Sequence, residues 1–305
     1  MATTQTEETA AEEQAEQAGP GGQTETEGGP RWKRVGGLLL LTAGAFIFLF
    51  PFYYMVVGAL QTELNSGLSG AFPSPGNITL NNFAQINAAI NLGRTLLNSA
   101  IFTGGVILLT MTLGLLAGYA LARLEFRGRG VIFTLLLLTL VLPFQLLMIP
   151  MYVLVVRYYG LADSFIGMII PFAINGTAVF IFRQFFRSIP NEIYESAAID
   201  GASEFQILTR MAIPMAKPAI LTAIIVTFIG PWNEFLWPFL ITKQQDLMPL
   251  AVALANFINT LQASIANPFG AILAGATTLA VPAVALFLAF QRHFIQTNLG
   301  SSVKG

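Results

Sequence analysis

Few side chains in this 305-residue chain could carry covalent or acid–base chemistry. It has one histidine, His293, and no cysteine, which excludes disulfides, thiolate metal sites and a thiol nucleophile. Neither paired carboxylates for general acid–base work nor histidines at metal-ligand spacing occur, so a catalytic reading is weak. Polar chemistry concentrates in two places. In "GPWNEFLWPF", Trp232, Asn233, Glu234 and Trp237 lie among Pro231 and Pro238, inside an otherwise apolar run. In "EIYESAAIDGASEFQILTRMAIPMAKP", residues 192–218, apolar stretches flank a segment carrying Glu192, Glu195, Asp200, Glu204, Arg210 and Lys217. Carboxylates so placed can cap helix ends or pair with an arginine of another chain.

Composition decides what positions these groups. The chain is 54% hydrophobic and only 10% charged, against about 25% charged in an average soluble domain, so its surface belongs in lipid. A net charge of −1 gives no electrostatic case for nucleic acid. Residues 1–34 differ from the rest. They hold Glu7, Glu8, Glu12, Glu13, Glu16, Glu25 and Glu27 and no aromatic before Trp32, which predicts a disordered acidic cytoplasmic tail rather than a signal peptide. Apolar runs at about 35–60, 95–121, 131–156, 165–183, 218–241 and 269–291 are each near the ~20 residues that a helix needs to cross a bilayer. The predicted fold is therefore an all-α integral membrane protein of six transmembrane helices. Residues 35–292 form the transmembrane domain and 293–305 a cytoplasmic C-terminal tail, with His293 at headgroup level. Gly114 and Gly118 form a GxxxG that lets two helices approach closely.

Orientation follows from the basic residues. Those at 31, 33, 34, 123, 127, 129, 183, 187, 210, 217, 292 and 304 fall on one side of this layout and those at 94, 157 and 243 on the other, which places both termini in the cytosol. The charged loop, about 187–217, is then cytosolic. The outer loops are 61–94, 157–164 and 242–268, and in the last "LMPLAVALANFI" predicts a short helix at the interface or tucked under the bundle.

The charged loop has helix punctuation. Pro190, Glu192 and Glu195 suit a helix start, and Asp200-Gly201 supplies a residue able to take φ > 0 at its end, giving a first helix over 191–199. Ser203 to Gln206 is a capping box opening a second helix over 204–212, bounded by Pro214 and Pro218. Tyr194, Ala197 and Ala198 share a face with Gly201, offering a small-residue surface with a tyrosine knob to a partner or to the chain's own helix ends.

These residues resemble the EAA loop of ABC importer permeases: Glu195, Ser196 and Ala197, then Gly201, then Ile213-Pro214 at the expected distance. Ser196 replaces the second Ala of the pattern, and Ile213 stands where Leu is usual. "RLEFRGRG", "LPFQLLMIPMYVLVVRYYGLADS", "WNEFLWPF" and the closing "VKG" are similar to the carbohydrate-uptake, maltose-transporter-like branch, specifically its six-span subunit. The resemblance implies a type I ABC importer permease without an ATPase motif of its own. Its implied partners are a second permease forming a heterodimer, two cytosolic ATPase subunits that bind ATP and Mg, and an extracytoplasmic solute-binding protein, all around a subunit set in bacterial or archaeal plasma-membrane lipid. It also implies that Tyr194, Glu195, Ser196, Ala197, Ala198, Asp200, Gly201, Ala202, Ile213 and Pro214 couple to the ATPases, and that this chain binds no cofactor.

Transport uphill needs energy, and no phosphate-binding loop of the G-x-x-x-x-G-K-[ST] type occurs here, so hydrolysis falls to another chain. A non-sugar solute is the alternative cargo. An ion-coupled carrier fits less well, because Glu234 is essentially the one ionisable residue within the spans and no internal repeat is apparent. With a sugar as cargo, Trp232, Asn233, Glu234 and Trp237 become candidates for the substrate path, since indole faces stack on CH-rich sugar faces. The competing reading has Glu234 bracing the broken helix or the second permease, with both indoles as anchors.

Overall fold

A computed structural model describes residues 31–63, 67–261 and 265–299. Most of the expected N-terminal tail and the final residues 300–305 therefore lie outside the described residues. The first helix, α1, is Arg31–Ala59, so residues 31–34 open a helix where the tail was expected to end. The chain divides into two units, Met1–Phe52 and Tyr53–Gly305, and the site described below belongs wholly to the second.

The second unit continues as α2 (Asn81–Ile90), α3 (Leu92–Arg123), α4 (Arg129–Thr139), α5 (Phe144–Tyr158), α6 (Phe165–Phe172), α7 (Gly176–Ser188), α8 (Asn191–Ile199), α9 (Glu204–Met215), α10 (Lys217–Asn233), α11 (Leu236–Ile241), α12 (Leu250–Thr260) and α13 (Pro268–Leu299). Among the described residues the one extended pairing is a single bridge between Gln61 and Ile78. Val35–Ala59, Leu92–Arg123 and Pro268–Gln291 are each long and apolar enough to cross a membrane. The count reaches six only when three bent pairs are taken as spans: α4 with α5 (97°), α6 with α7 (50°) and α9 with α10 (73°).

The expected span over 218–241 is thus not one helix. It stops at Asn233 and restarts at Leu236. Pro231 cannot donate to the carbonyl one turn back, which weakens the ladder there, while Pro238 sits in the first turn of α11, where a missing N–H costs nothing. At the C-terminus the difference runs the other way. The last helix continues through Leu299, because nothing in "QRHFIQTNL" stops it before Gly300.

α3 is the axis of the second unit. Two apolar cores include its residues, Tyr119 with Phe182, Phe186, Leu208 and Ala212 towards its C-terminal end, and Phe102 and Val106 with Met168, Trp237 and Ile241 nearer its middle; a third, with Ile86, Leu254, Phe257 and Ala271, lies beyond its start. Gly114 and Gly118 serve packing within the chain. A Cβ on Gly118 would lie 2.6 Å from the Cβ of Phe182 and one on Gly114 3.3 Å from its ring, so these glycines let α7 press against α3. Breaks between helices are satisfied by neighbours. Thr110 Oγ1 donates to the Phe172 carbonyl at 3.1 Å, where α6 gives way to α7. The short apolar helix α12 is tucked in, with Leu250, Val252, Leu254 and Phe257 buried.

Candidate functional site: a charged helix pair

The chain enters α8 through Pro190, whose φ of −54° and extended ψ of 142° place it just outside the helix. Gly201 ends α8 with φ +82°, and Gly201 N and Ala202 N donate to the Ala198 and Ala197 carbonyls, both at 3.0 Å. No atom lies within 4 Å of where a Cβ on Gly201 would stand, so the demand for glycine is conformational rather than steric. The capping box then starts α9: Gln206 N donates to Ser203 Oγ at 3.3 Å, and Ser203 N to Gln206 Oε1 at 2.9 Å.

α9 does not end at 212. It passes through Pro214 to Met215 and turns by 73° into α10. A wider turn over Leu208–Ala212 shifts the hydrogen-bond ladder, so Pro214 falls at the start of the next turn, where its missing N–H is tolerated.

The expected face of α8 divides. Tyr194 and Ala197 are half-buried against the chain's own core, whereas Ala198, Glu195, Ser196, Asp200 and Gly201 are exposed. Tyr194 is therefore not an outward knob. The Arg123 guanidinium lies 3.8 Å from the centre of its ring, and the Tyr119 ring is 6.4 Å away. The Tyr194 hydroxyl is buried with no hydrogen-bond partner, and burial pushes this phenol above its ordinary range against the opposing pull of Arg123. Ala202 and Ile213 are half-buried and Pro214 is exposed.

Sequence reasoning missed the two residues of α3 that fix the pair. Arg123, in the last turn of α3, donates to Asn191 Oδ1 at 2.6 Å and to the carbonyls of Phe186 and Ile189. One turn earlier, Tyr119 donates its hydroxyl to Glu204 Oε2 at 2.9 Å. These groups line a cleft of about 260 Å³ between α3 and the pair. Arg123 opens "RLEFRGRG", but nothing in the linear sequence shows that it reaches across to Asn191. Also missed were Ile199 and Phe205, which stand 86% and 71% exposed at the facing ends of the two helices. Their signal was legible: both are apolar, and neither lies on the face that carries Tyr194.

The Trp-rich break is built differently. Trp237 is fully buried, donates its indole N–H to the Gly167 carbonyl at 3.2 Å and meets the Phe144 ring edge-on at 6.0 Å. Trp232, 5% exposed, donates to the Leu279 carbonyl at 3.0 Å, three residues before the proline inside α13, and stacks on Phe228 at 5.3 Å. Both indole donors are therefore committed to backbone. Half-buried Glu234 accepts from Trp237 N at 3.2 Å through Oε1 and so caps the restart at α11. Asn233 is exposed, and its amide donates back to Ile229 O at 2.9 Å. Within the chain, Trp232, Glu234 and Trp237 thus tie the two halves of the broken helix to the chain's own backbone.

Among the described residues, broken apolar helices are thus combined with one folded, charged helix pair. Residues 110–298 match the family described as binding-protein-dependent transport system inner membrane component. The chain is 34% identical to the arabinooligosaccharides transport system permease protein AraQ of Halalkalibacterium halodurans, over 87% of its own length and 96% of the relative. It is 28% identical to the lactose transport system permease protein LacG of Rhizobium radiobacter, over 86% and 93%. Its fold matches, with TM-score 0.75 and 24% identity over 87% of this chain and 97% of the other, a crystal structure of a bacterial ABC transporter involved in the import of the acidic polysaccharide alginate. The chain belongs to the binding-protein-dependent transport system inner membrane component family, as the permease subunit of an ABC importer.

Proposed function

We propose that this permease carries a sugar or oligosaccharide, delivered by an extracytoplasmic binding protein, through a path completed by a second permease. Two cytosolic ATPase subunits, holding ATP and magnesium, drive the cycle through the helix pair α8–α9. One observation carries the coupling role. Ile199 and Phe205 project from a segment otherwise rich in carboxylates, on either side of Gly201, and such apolar side chains fit a groove on a partner protein. The carbohydrate cargo is supported by relatives whose names refer to arabinooligosaccharides and to lactose.

The orientation is open to a direct test in a chain without cysteine. A cysteine at Arg210, on α9, should label from the cytosolic side only, and one at exposed Gln244 from the outside only; same-side labelling would sink the layout. The energy source is tested by reconstituting the chain with its ATPases. Uptake of the cognate sugar should stop when the ATPase is made hydrolysis-dead and should resist collapse of ion gradients. Uptake that survives the dead ATPase would falsify the proposal.

A further inference from the structure

Tyr119 and Arg123 are one turn apart on α3 and so lie on one face of it. Each holds the first residue of one helix of the pair: Arg123 binds Asn191 at the start of α8, and Tyr119 binds Glu204 at the start of α9. Arg123 adds the carbonyls of Phe186 and Ile189, where α7 runs out, and its planar fork also covers the ring of Tyr194. Between the two held points lies the Gly201 corner, with φ +82°. The covalent routes from the pair into the membrane are different: Ile189-Pro190 joins α8 to α7, and the 73° bend at Ala216 joins α9 to α10.

We infer that Tyr119 and Arg123 form a two-point clamp that makes α3, beside the covalently joined α7 and α10, a direct receiver of the coupling stroke, so that the helix pair and the end of α3 move as one body when the ATPases close. The inference rests on the proposed coupling role of the pair and adds a route to it. A displacement of α8–α9 passes along the chain into α7 and α10, and Leu208 and Ala212 share a core with Tyr119. The clamp adds to this packing directed bonds to α3, whose residues enter two of the cores described above. Both are positioning residues, since neither is exposed in the manner of Ile199 or Phe205.

Two variants test this in the complete reconstituted transporter. Tyr119→Phe removes one oxygen and keeps the ring that meets Phe186 edge-on at 5.5 Å, and Arg123→Lys keeps the charge but loses the fork. In the double variant the ATPases should still co-purify and ATP turnover should hold within about twofold, while solute moved per ATP falls at least about threefold, the scale set by losing neutral and charge-assisted hydrogen bonds. A purely structural role would lower assembly and leave that ratio unchanged, which would overturn the clamp. The second measurement is a spin-label distance between cysteines at Glu125, just past α3, and Arg210, on α9. In the wild type the distance should be the same before and after trapping with ATP and vanadate; in the double variant it should shift or broaden on trapping. A wild-type distance that changes on trapping overturns the clamp. A wild-type complex whose uptake ignores ATP would instead remove the coupling reading on which the clamp rests, and the two failures are separately visible.

Discussion

The charged helix pair and the Trp-rich break read alike in the sequence, as clusters of polar and aromatic residues set against prolines, yet they fold in opposite senses. In the break the large side chains turn inward and spend their donors on backbone: Trp237 on Gly167 and Trp232 on Leu279. In the pair, Ile199 and Phe205 turn outward, away from a core that Tyr194, Leu208 and Ala212 join without them. Exposed apolar side chains beside carboxylates mark a surface that something else completes, and buried indoles mark a fold already complete.

The most severe way to break this contrast is to charge the outward pair. Replacing Ile199 and Phe205 together with Asp should remove two exposed anchors whose burial in the proposed ATPase contact contributes about 1.5–3 kcal/mol each, and so weaken ATPase binding by a hundredfold or more. Co-purification titrated with ATPase measures it, and tight binding by the double variant would contradict the coupling surface. Next in size is Trp237→Ala, which should destabilise the subunit by about 3–5 kcal/mol. Trp237→Phe, losing the bond to Gly167, should cost about 1 kcal/mol. Both are read as thermal unfolding in nanodiscs. Solute preference should not change in either variant, and a changed preference would return Trp237 to the substrate path.

A third substitution sharpens the comparison at the corner. Gly201→Val should cost about 1–3 kcal/mol locally, because a β-branched residue resists φ +82°. Transport and ATPase stimulation should fall together. Since the space around Gly201 is empty, Gly201→Asn should recover much of the loss, as asparagine accepts the left-handed region. Equal damage from both substitutions would point to a steric contact with a partner instead. The smallest effect is expected at Glu234. Glu234→Gln keeps an acceptor for Trp237 N and should be nearly neutral, whereas Glu234→Ala should cost about 1 kcal/mol of thermal stability. Sugar selectivity should be unchanged in both, and a selectivity change in Glu234→Gln would restore direct substrate contact.

Local grammar carried the sequence reading furthest. The bounds of α8, the left-handed Gly201 and the Ser203–Gln206 capping box follow from residues within one turn of each other, where short-range physics dominates. Continuous span boundaries were harder to read. Apolar content over 218–241 marks lipid-compatible chain, and it does not reveal that Glu234 caps a restart or that Pro214 is carried inside α9. Least legible was the direction of side chains. Periodicity grouped Tyr194 with Ala198, but only the approach of α3 decides that Tyr194 turns inward beneath Arg123, and that decision involves residues 68 and 85 positions apart in the chain.

Those separations also bear on how the subunit is made. A helix of nine residues, such as α8, has little stability of its own. Its anchor on α3 is synthesised before α4 to α7, and the two can meet only once the intervening helices have inserted and packed. An ordered helix pair is therefore a late product of biogenesis, and until α7 is in place α8 lacks the anchor that Arg123 supplies from α3.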